Sequence, residues 1–532
     1  MKRSILFIAL SALAVNAAAQ SAFDAYTFSQ ENYVGTARSV ALGNAMTAVG
    51  GDLGSIVFNP AGSAVAGYSQ FSLTPSVTVS TVSSQGTPLS GSTDPYGFED
   101  PNTTRYARMG MPSFGAAARV ETGRKSGLKS WTVGFVGHMT NNYQLETYAS
   151  GSNYNTTYAG FLSTLADGTS SSVLNSGSGY DYADWRSVVG YQSNMIATYG
   201  GADNQYIGVT EKQTSEGIGL ADGINQYYGW LRYGNKYDIL LNAGLNFNDR
   251  FFLGFNLGLS SLSMNSYEYW KEESITPSNF LLQFSTGETT TADTYFDALK
   301  MNYSYEASGS GAYLKTGFIW LPFQGLRLGA AIQTPTVYSI HEYYGYEGET
   351  AFVDSSFNAR ANSGEGNYEY KVRSPLRLNA GLAYTVGKSA LVSLDYEMCD
   401  YSMMRFSAVY FDDDFSSLNS GIPSAYGVSH MLRAGIELRP LPQYAIRVGY
   451  NLTTSPELDN IGNYVDANRQ AVSFGLGYSS SGSFFADLAC RFNYLPDDYF
   501  LVYPDYSDTI LSPELCNRQT QFETLLTLGW RF

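Results

Sequence analysis

The chain ends in a strand that stops on an aromatic residue. Between Gln521 and Phe532, the residues Phe522, Thr524, Leu526, Leu528, Trp530 and Phe532 fall on one side, and Glu523, Leu525, Thr527, Gly529 and Arg531 on the other, because strand side chains alternate with a period of two. One row is largely apolar and aromatic; the other carries the charges. A closing strand of this kind predicts a sheet that joins up with itself, with one face against lipid and the other against a polar lumen.

The beginning of the chain agrees with its end. Lys2 and Arg3 precede an apolar stretch from Ile5 to Val15, and Ala17, Ala18 and Ala19 supply small residues for a peptidase. Residues 1–19 are therefore expected to be a secretory signal peptide, too short to span a bilayer that needs ~20 residues. No stretch further on approaches the ~18 consecutive apolar residues of a membrane helix. Composition favours a barrel: 43 Tyr suit interfacial aromatic girdles, and 54 Gly suit strands that bend or crowd a plug. A net charge of −16 argues against nucleic acid, whose phosphates need Lys and Arg. The acidic runs Asp412–Asp414, Asp497–Asp498 and Glu347–Glu349 read as solvated loop surface. Cys399, Cys490 and Cys516 are far apart and lack metal spacing, so no metal or cofactor is expected.

Amphipathic strands counted back from Phe532 number about 14, an even count within the range of single-chain outer-membrane barrels. The expected fold is an all-β antiparallel transmembrane barrel. Alternation by itself also fits a soluble sandwich, but the connections do not. Links after even-numbered strands are short, as at Asp249, Gly387-Lys388 and Ser481-Gly482. Those after odd-numbered strands are long, the longest running from Ala149 to Asn235. Short periplasmic turns and long extracellular loops are the asymmetry of these barrels. Both ends of the barrel, and with them the preceding segment, are then expected at the periplasmic mouth.

Residues 20–66 differ from the barrel, expected over 67–532. Small residues between Asn32 and Ala48 show helical periodicity, and Asn59-Pro60 breaks it, since proline disfavours a helical residue before it and donates no backbone hydrogen bond. One or two short helices with Gly-bearing turns are expected, forming a plug. Within this segment Gly35-x-Ala37-Arg38, Gly43-x-Ala45, Asp52 and Asn59-Pro60-Ala61 resemble the N-terminal hatch of the FadL/TodX family. The resemblance implies a helical plug in the lumen and transport of long-chain fatty acids or aromatic hydrocarbons. The plug motif Gly35, Arg38, Gly43, Asp52, Asn59, Pro60 and Ala61 would be structural or gating, with seating of the plug the leading role.

The implied mechanism is passive: loops capture a hydrophobe, and a plug movement or a gap in the wall releases it. The partners would be that hydrophobic solute, outer-membrane lipid and lipopolysaccharide, and the assembly machinery. Trp530 and Phe532 resemble the terminal signal that Gram-negative outer-membrane proteins present to that machinery. A general or substrate-specific porin is the alternative, and a haem receptor a more distant one. An enzyme is not expected: His138, His341 and His430 lie on separate strands without a catalytic signature, and scattered histidines make a poor case for haem ligation.

Overall fold

A computed structural model describes residues 21–88, 97–214, 217–285, 291–410, 414–459, 461–505 and 511–532. The expected signal peptide, with Asp412 and Asp413, lies outside the described residues. The chain forms a closed antiparallel barrel of 14 strands. In chain order these are β1 (Gln70–Gly86), β2 (Asn102–Glu121), β3 (Leu128–Asn142, with an outer arm Leu145–Asn153), β4 (Ile224–Phe247), β5 (Phe251–Ser274) and β6 (Thr291–Trp320). There follow β7 (Leu326–Gln333 and Val337–Phe352), β8 (Gly366–Arg373 and Arg377–Val386, in that order along the chain), β9 (Ala390–Asp400 and Arg405–Ala408) and β10 (Val428–Leu441). The last are β11 (Tyr444–Thr453), β12 (Arg469–Ser479), β13 (Phe484–Tyr494) and β14 (Glu514–Arg531).

Closure is the pairing of β1 with β14, from Gln70 opposite Arg531 to Gly86 opposite Leu515. Phe71 stacks on Trp530 across that seam, with ring centroids 6.3 Å apart. Phe522, Leu526, Trp530 and Phe532 face outward, while Glu523, Leu525 and Thr527 are buried inside. The periplasmic turns follow backbone chemistry. Asn248 and Asp249 both take positive φ (56° and 55°), the type I′ geometry that matches strand twist.

On the other side the strands are longer than the sequence pattern suggested. β5 runs for 24 residues and β6 for 30, whereas a tilted membrane strand needs ~9–11. The surplus extends the wall outward, where one row packs on the segment between β3 and β4 through residues such as Leu299 and Met301, so that alternation of lipid against lumen no longer marks the strand. The loop expected from Ala149 to Asn235 is shorter for the same reason: the β3 arm reaches Asn153 and β4 starts at Ile224.

Inside the barrel lie four short helices, not one or two: α1 (Ala22–Ser29), α2 (Ala37–Ala41), α3 (Ser55–Phe58) and α4 (Gly62–Val65). The second half of this segment sits at the periplasmic mouth, where Ala61 and Ala64 pack on Phe252 and Ile319 and the Val49 carbonyl accepts from Arg327. The segment climbs from there, and α1 packs among Leu262, Tyr305, Tyr338 and Tyr401 halfway up the wall. The segment thus enters at the periplasmic mouth, as strand parity implies, and its helices lie in the lumen; parity does not say how far it climbs.

Candidate functional site

The lumen segment is held by backbone contact before side chains enter. Inward positions of the wall are glycine where the segment presses on it. Gly244, Gly254 and Gly317 are neighbours in register on β4, β5 and β6, and a Cβ on Gly254 would overlap the Pro60 backbone. Gly435 and Gly449 face each other on β10 and β11; a Cβ on either would strike the backbone at Leu42 or Gly43. Glycine alone lets two backbones approach this closely.

The residues singled out from the sequence sit along this contact. Asn59 is fully buried. Its side-chain amide donates to the carbonyls of Thr47 and of Phe318 on β6, both at 2.8 Å, and its Oδ1 accepts the Ala61 N–H at 3.1 Å. The Pro60 carbonyl accepts from Asn242 on β4 at 3.0 Å. Asp52 accepts from the Thr36 hydroxyl (2.7 Å) and the Gly54 N–H (2.8 Å), tying α2 to α3. Gly43 turns the chain at φ 63°. Arg38 pairs with Glu437 at 3.0 Å, and Glu437 also receives Arg447 at 2.7 Å. Gly35 leaves room for the Ser39 hydroxyl beside His138. Trp530 and Phe532 are remote from this cluster, at the closing seam.

A second ionic chain anchors the segment higher up. Glu31 meets Arg377 at 3.3 Å, Arg377 meets Glu397 at 3.0 Å, and Glu397 also holds Arg433. Arg491 donates to the Tyr33 carbonyl at 2.9 Å. Buried charges survive only when paired in this way. Around α1 the wall is rich in tyrosine: Tyr26 meets Tyr401 edge-on at 5.1 Å and Tyr426 at 4.8 Å, with Tyr143, Tyr305 and Tyr370 in the same cluster.

The wall itself is interrupted beside the lumen segment. Pairing of β2 with β3 stops at Ser113 opposite His138, although β2 continues outward to Asn102. Pro112 occupies the next position and has no N–H to give. At this level β3 turns inward and pairs with the lumen segment instead: Asn32 N–H donates to the Thr140 carbonyl at 2.6 Å, and Val34 N–H to the Met139 carbonyl at 3.3 Å. The two strands come together again at the bridge of Asp100 with Ser150, where Asn102 also donates to the Ser150 hydroxyl at 3.3 Å. Side chains cross the slot between these limits. Tyr106 OH donates to the Gln144 carbonyl (3.0 Å), Arg108 to the Gln144 side chain (3.3 Å), and Tyr237 OH to the Met111 carbonyl (3.1 Å). Met109, 82% exposed, and Met111, 41% exposed, form its apolar outer rim. The sequence signal for this feature is Pro112 inside an otherwise regular strand.

The extracellular mouth is capped by the segment between β3 and β4. Two of its helices, α5 (Tyr158–Ala166) and α7 (Trp185–Gln192), with α6 (Ser171–Leu174) between them, bury Leu162, Val188 and Val189 against Leu299, Met301, Phe352 and Val502. Glu272 at the end of β5 accepts the Tyr158 N–H at 2.6 Å, a carboxylate placed at a helix N-terminus. Partial desolvation works against the charge on Asp184, but Arg186, at 2.7 Å, and the α7 N–H groups it caps hold its carboxyl below the usual range. Burial pushes Glu211 upward, against the Gly208 N–H and the Ser163 hydroxyl.

No protein-family model matches the chain, and no curated protein sequence does either. Among solved structures the chain is similar to a Pseudomonas aeruginosa FadL homologue, at TM-score 0.51 and 10% identity over 94% of this chain and 99% of that one. It is also similar to the P. putida toluene transporter TodX, at TM-score 0.48 and 13% identity over 93% and 97% of the two chains. At such identities the likeness speaks to architecture, and the FadL homologue shares with this chain the fold of an outer-membrane β-barrel.

Proposed function

We propose that this protein carries hydrophobic small molecules, such as long-chain fatty acids or aromatic hydrocarbons, passively across an outer membrane. The observation that supports this reading is the interruption of the pairing between β2 and β3, edged on the outside by Met109 and Met111, at the level where the lumen segment takes over the pairing of β3. A hydrophobe gains nothing from an aqueous exit and gains transfer free energy, about 25 cal/mol per Å² of apolar surface, on moving sideways into hydrocarbon. The tyrosine-rich surroundings of α1 offer apolar ring faces on the way. Residues 20–66 act as the plug, and Asn59, Pro60 and Ala61 seat it. A general porin is the second reading. The lumen segment, pressed on wall glycines from β4 to β11, weighs against it by occupying the cross-section that water and sugars need.

Liposomes containing the purified protein test the proposal. Uptake of a long-chain fatty acid or a monoaromatic hydrocarbon is expected to exceed that of empty liposomes, with little permeation of small sugars. Sugar permeation equal to that of the hydrophobe would overturn it in favour of a porin.

A further inference from the structure

Three adjacent strands break on the same side of the barrel. β7 is interrupted between Gln333 and Val337, β8 between Arg373 and Arg377, and β9 between Asp400 and Arg405. Pro335 and Pro375 lie in the first two breaks. Just beyond them, Arg373 stands directly opposite Arg405, and Lys371 directly opposite Ser407. Tyr370, Val372 and Phe406 are buried, so alternation turns Lys371, Arg373 and Arg405 to the outside of the wall. Arg405 is held in place by its own turn, donating to the carbonyls of Ser402 (2.8 Å) and Met404 (2.6 Å).

These cations stand at the outer edge of the apolar belt. Ile332, Leu378 and Leu382 face outward on the membrane side of the breaks, and His341 and Tyr343 stand further out. Like charges directly opposite one another destabilise a sheet, and no carboxylate among the described residues forms an ion pair with any of the three. The acids on the neighbouring outward rows are engaged elsewhere. Glu369 lies 3.5 Å from His341 and accepts from Tyr410 at 3.2 Å, while Asp400 accepts the Ser402 N–H at 3.1 Å and its hydroxyl at 2.6 Å.

A separate feature lies on the same wall toward the membrane interior. Small outward residues, Ala380 and Ala434, leave a groove of about 620 Å³ edged by Leu328, Leu382, Leu394 and Leu432. We propose that the cation cluster and this groove together bind one phosphorylated glycolipid of the outer leaflet, its phosphate on Lys371, Arg373 and Arg405 and an acyl chain in the groove. Arginine suits phosphate because its planar fork can donate twice. Charge chooses this occupant over a second barrel. A two-fold interface would set the same cluster against itself.

Native mass spectrometry of the full barrel in detergent tests this, with bis-phosphorylated lipid A, dephosphorylated lipid A and inorganic phosphate as probes. The wild type is expected to retain one phosphorylated lipid A. The K371Q/R373Q/R405Q variant should retain about tenfold less, a loss of ~1.4 kcal/mol. Removing the lipid's phosphates should have the same effect, and A380W/A434W, which fills the groove with the cations intact, should also weaken retention. Heat-modifiable migration on gels verifies that each variant barrel is folded. Equal retention by wild type and triple variant, or undiminished retention of the dephosphorylated lipid, would overturn the site. Displacement by millimolar inorganic phosphate would reduce it to a simple anion site, and a dimer abolished by the triple variant would replace lipid with a second copy; either result overturns the proposal. Hydrocarbon uptake into liposomes free of this lipid is expected to be unchanged in the triple variant, so the lipid site and the transport reading fail independently.

Discussion

Asn59 concentrates three hydrogen bonds in one buried side chain, and two of them leave its own turn: one to Thr47 in the plug, one to Phe318 in the wall. Asn59→Ala would strand both carbonyls and the Ala61 N–H, at a cost of about 1–3 kcal/mol for each buried group left unsatisfied. Because the barrel ladders do not depend on it, the expected outcome is a loosened plug in an intact barrel. Hydrogen exchange should rise several-fold between Val49 and Ala66, and single-channel current should appear in planar bilayers while heat-modifiable migration is unchanged. Gly254→Val is expected to act on the same contact from the wall side, since the added side chain would overlap the Pro60 backbone. Both variants leaking no current and exchanging no faster would mean that the seat lies elsewhere. The turn at Asn59-Pro60 was legible from chain chemistry alone. The partners of its carbonyls were not, because Asn242, Gly254 and Phe318 approach it only once β4, β5 and β6 are side by side.

At the scale of elements, legibility follows how local the cause is. β11 and β13 alternate cleanly because each row of side chains meets one environment, lipid or lumen, over its whole length. The outer halves of β4, β5 and β6 meet loops and the cap instead, so hydropathy alone does not mark where these strands end. The cap helix α5 is buried on nearly every side, from Tyr158 to Ser163 and again at Ala166, so no one-sided apolar stripe announces it. What α5 and α7 pack upon comes from Phe352 and Val502, distant in sequence. The cap should respond to pH through Asp184. Its folded carboxyl lies below its unfolded value, so it contributes stability that is fully present above the unfolded pKa of about 4 and is lost as pH falls through the folded value. Hydrogen exchange across residues 185–192 should therefore quicken in the wild type as pH drops below about 4, after correction for intrinsic rates. Asp184→Asn should start from faster exchange at neutral pH and show a flatter acid response. A variant with the same pH dependence as the wild type would remove Asp184 from this role.

The molecule as a whole is a cylinder whose closure and whose lateral interruption between β2 and β3 have different causes. Closure needs the full ladder of β1 with β14, and Phe532 adds little to it: its backbone exchanges bonds with Ser69 (3.2 and 2.9 Å), but its side chain is 79% exposed. Phe532→Ala should thus leave the folded barrel's stability unchanged. If the residue is an assembly signal, the variant should insert several-fold more slowly only when the assembly machinery is present, as measured by the heat-modifiable fraction over time. The interruption, by contrast, exists because β3 exchanges β2 for the plug above His138, so the slot and the seating of the plug are coupled through one strand, and the proposed sideways exit would be coupled with them. Locking the slot separates them. With Cys490 and Cys516 replaced by serine, Tyr106→Cys and Gln144→Cys place thiols on its two sides, for a short bis-maleimide to join. The linked barrel keeps its plug contacts at Asn59 and Arg38, neither of which borders the slot. Hydrocarbon uptake into liposomes is expected to fall about tenfold on linking, equivalent to ~1.4 kcal/mol on the rate-limiting barrier, with no change for either single-cysteine variant treated the same way. Undiminished uptake by the fully linked protein would send the solute through the plug instead, and the slot would then be a structural consequence of how β3 anchors Val34.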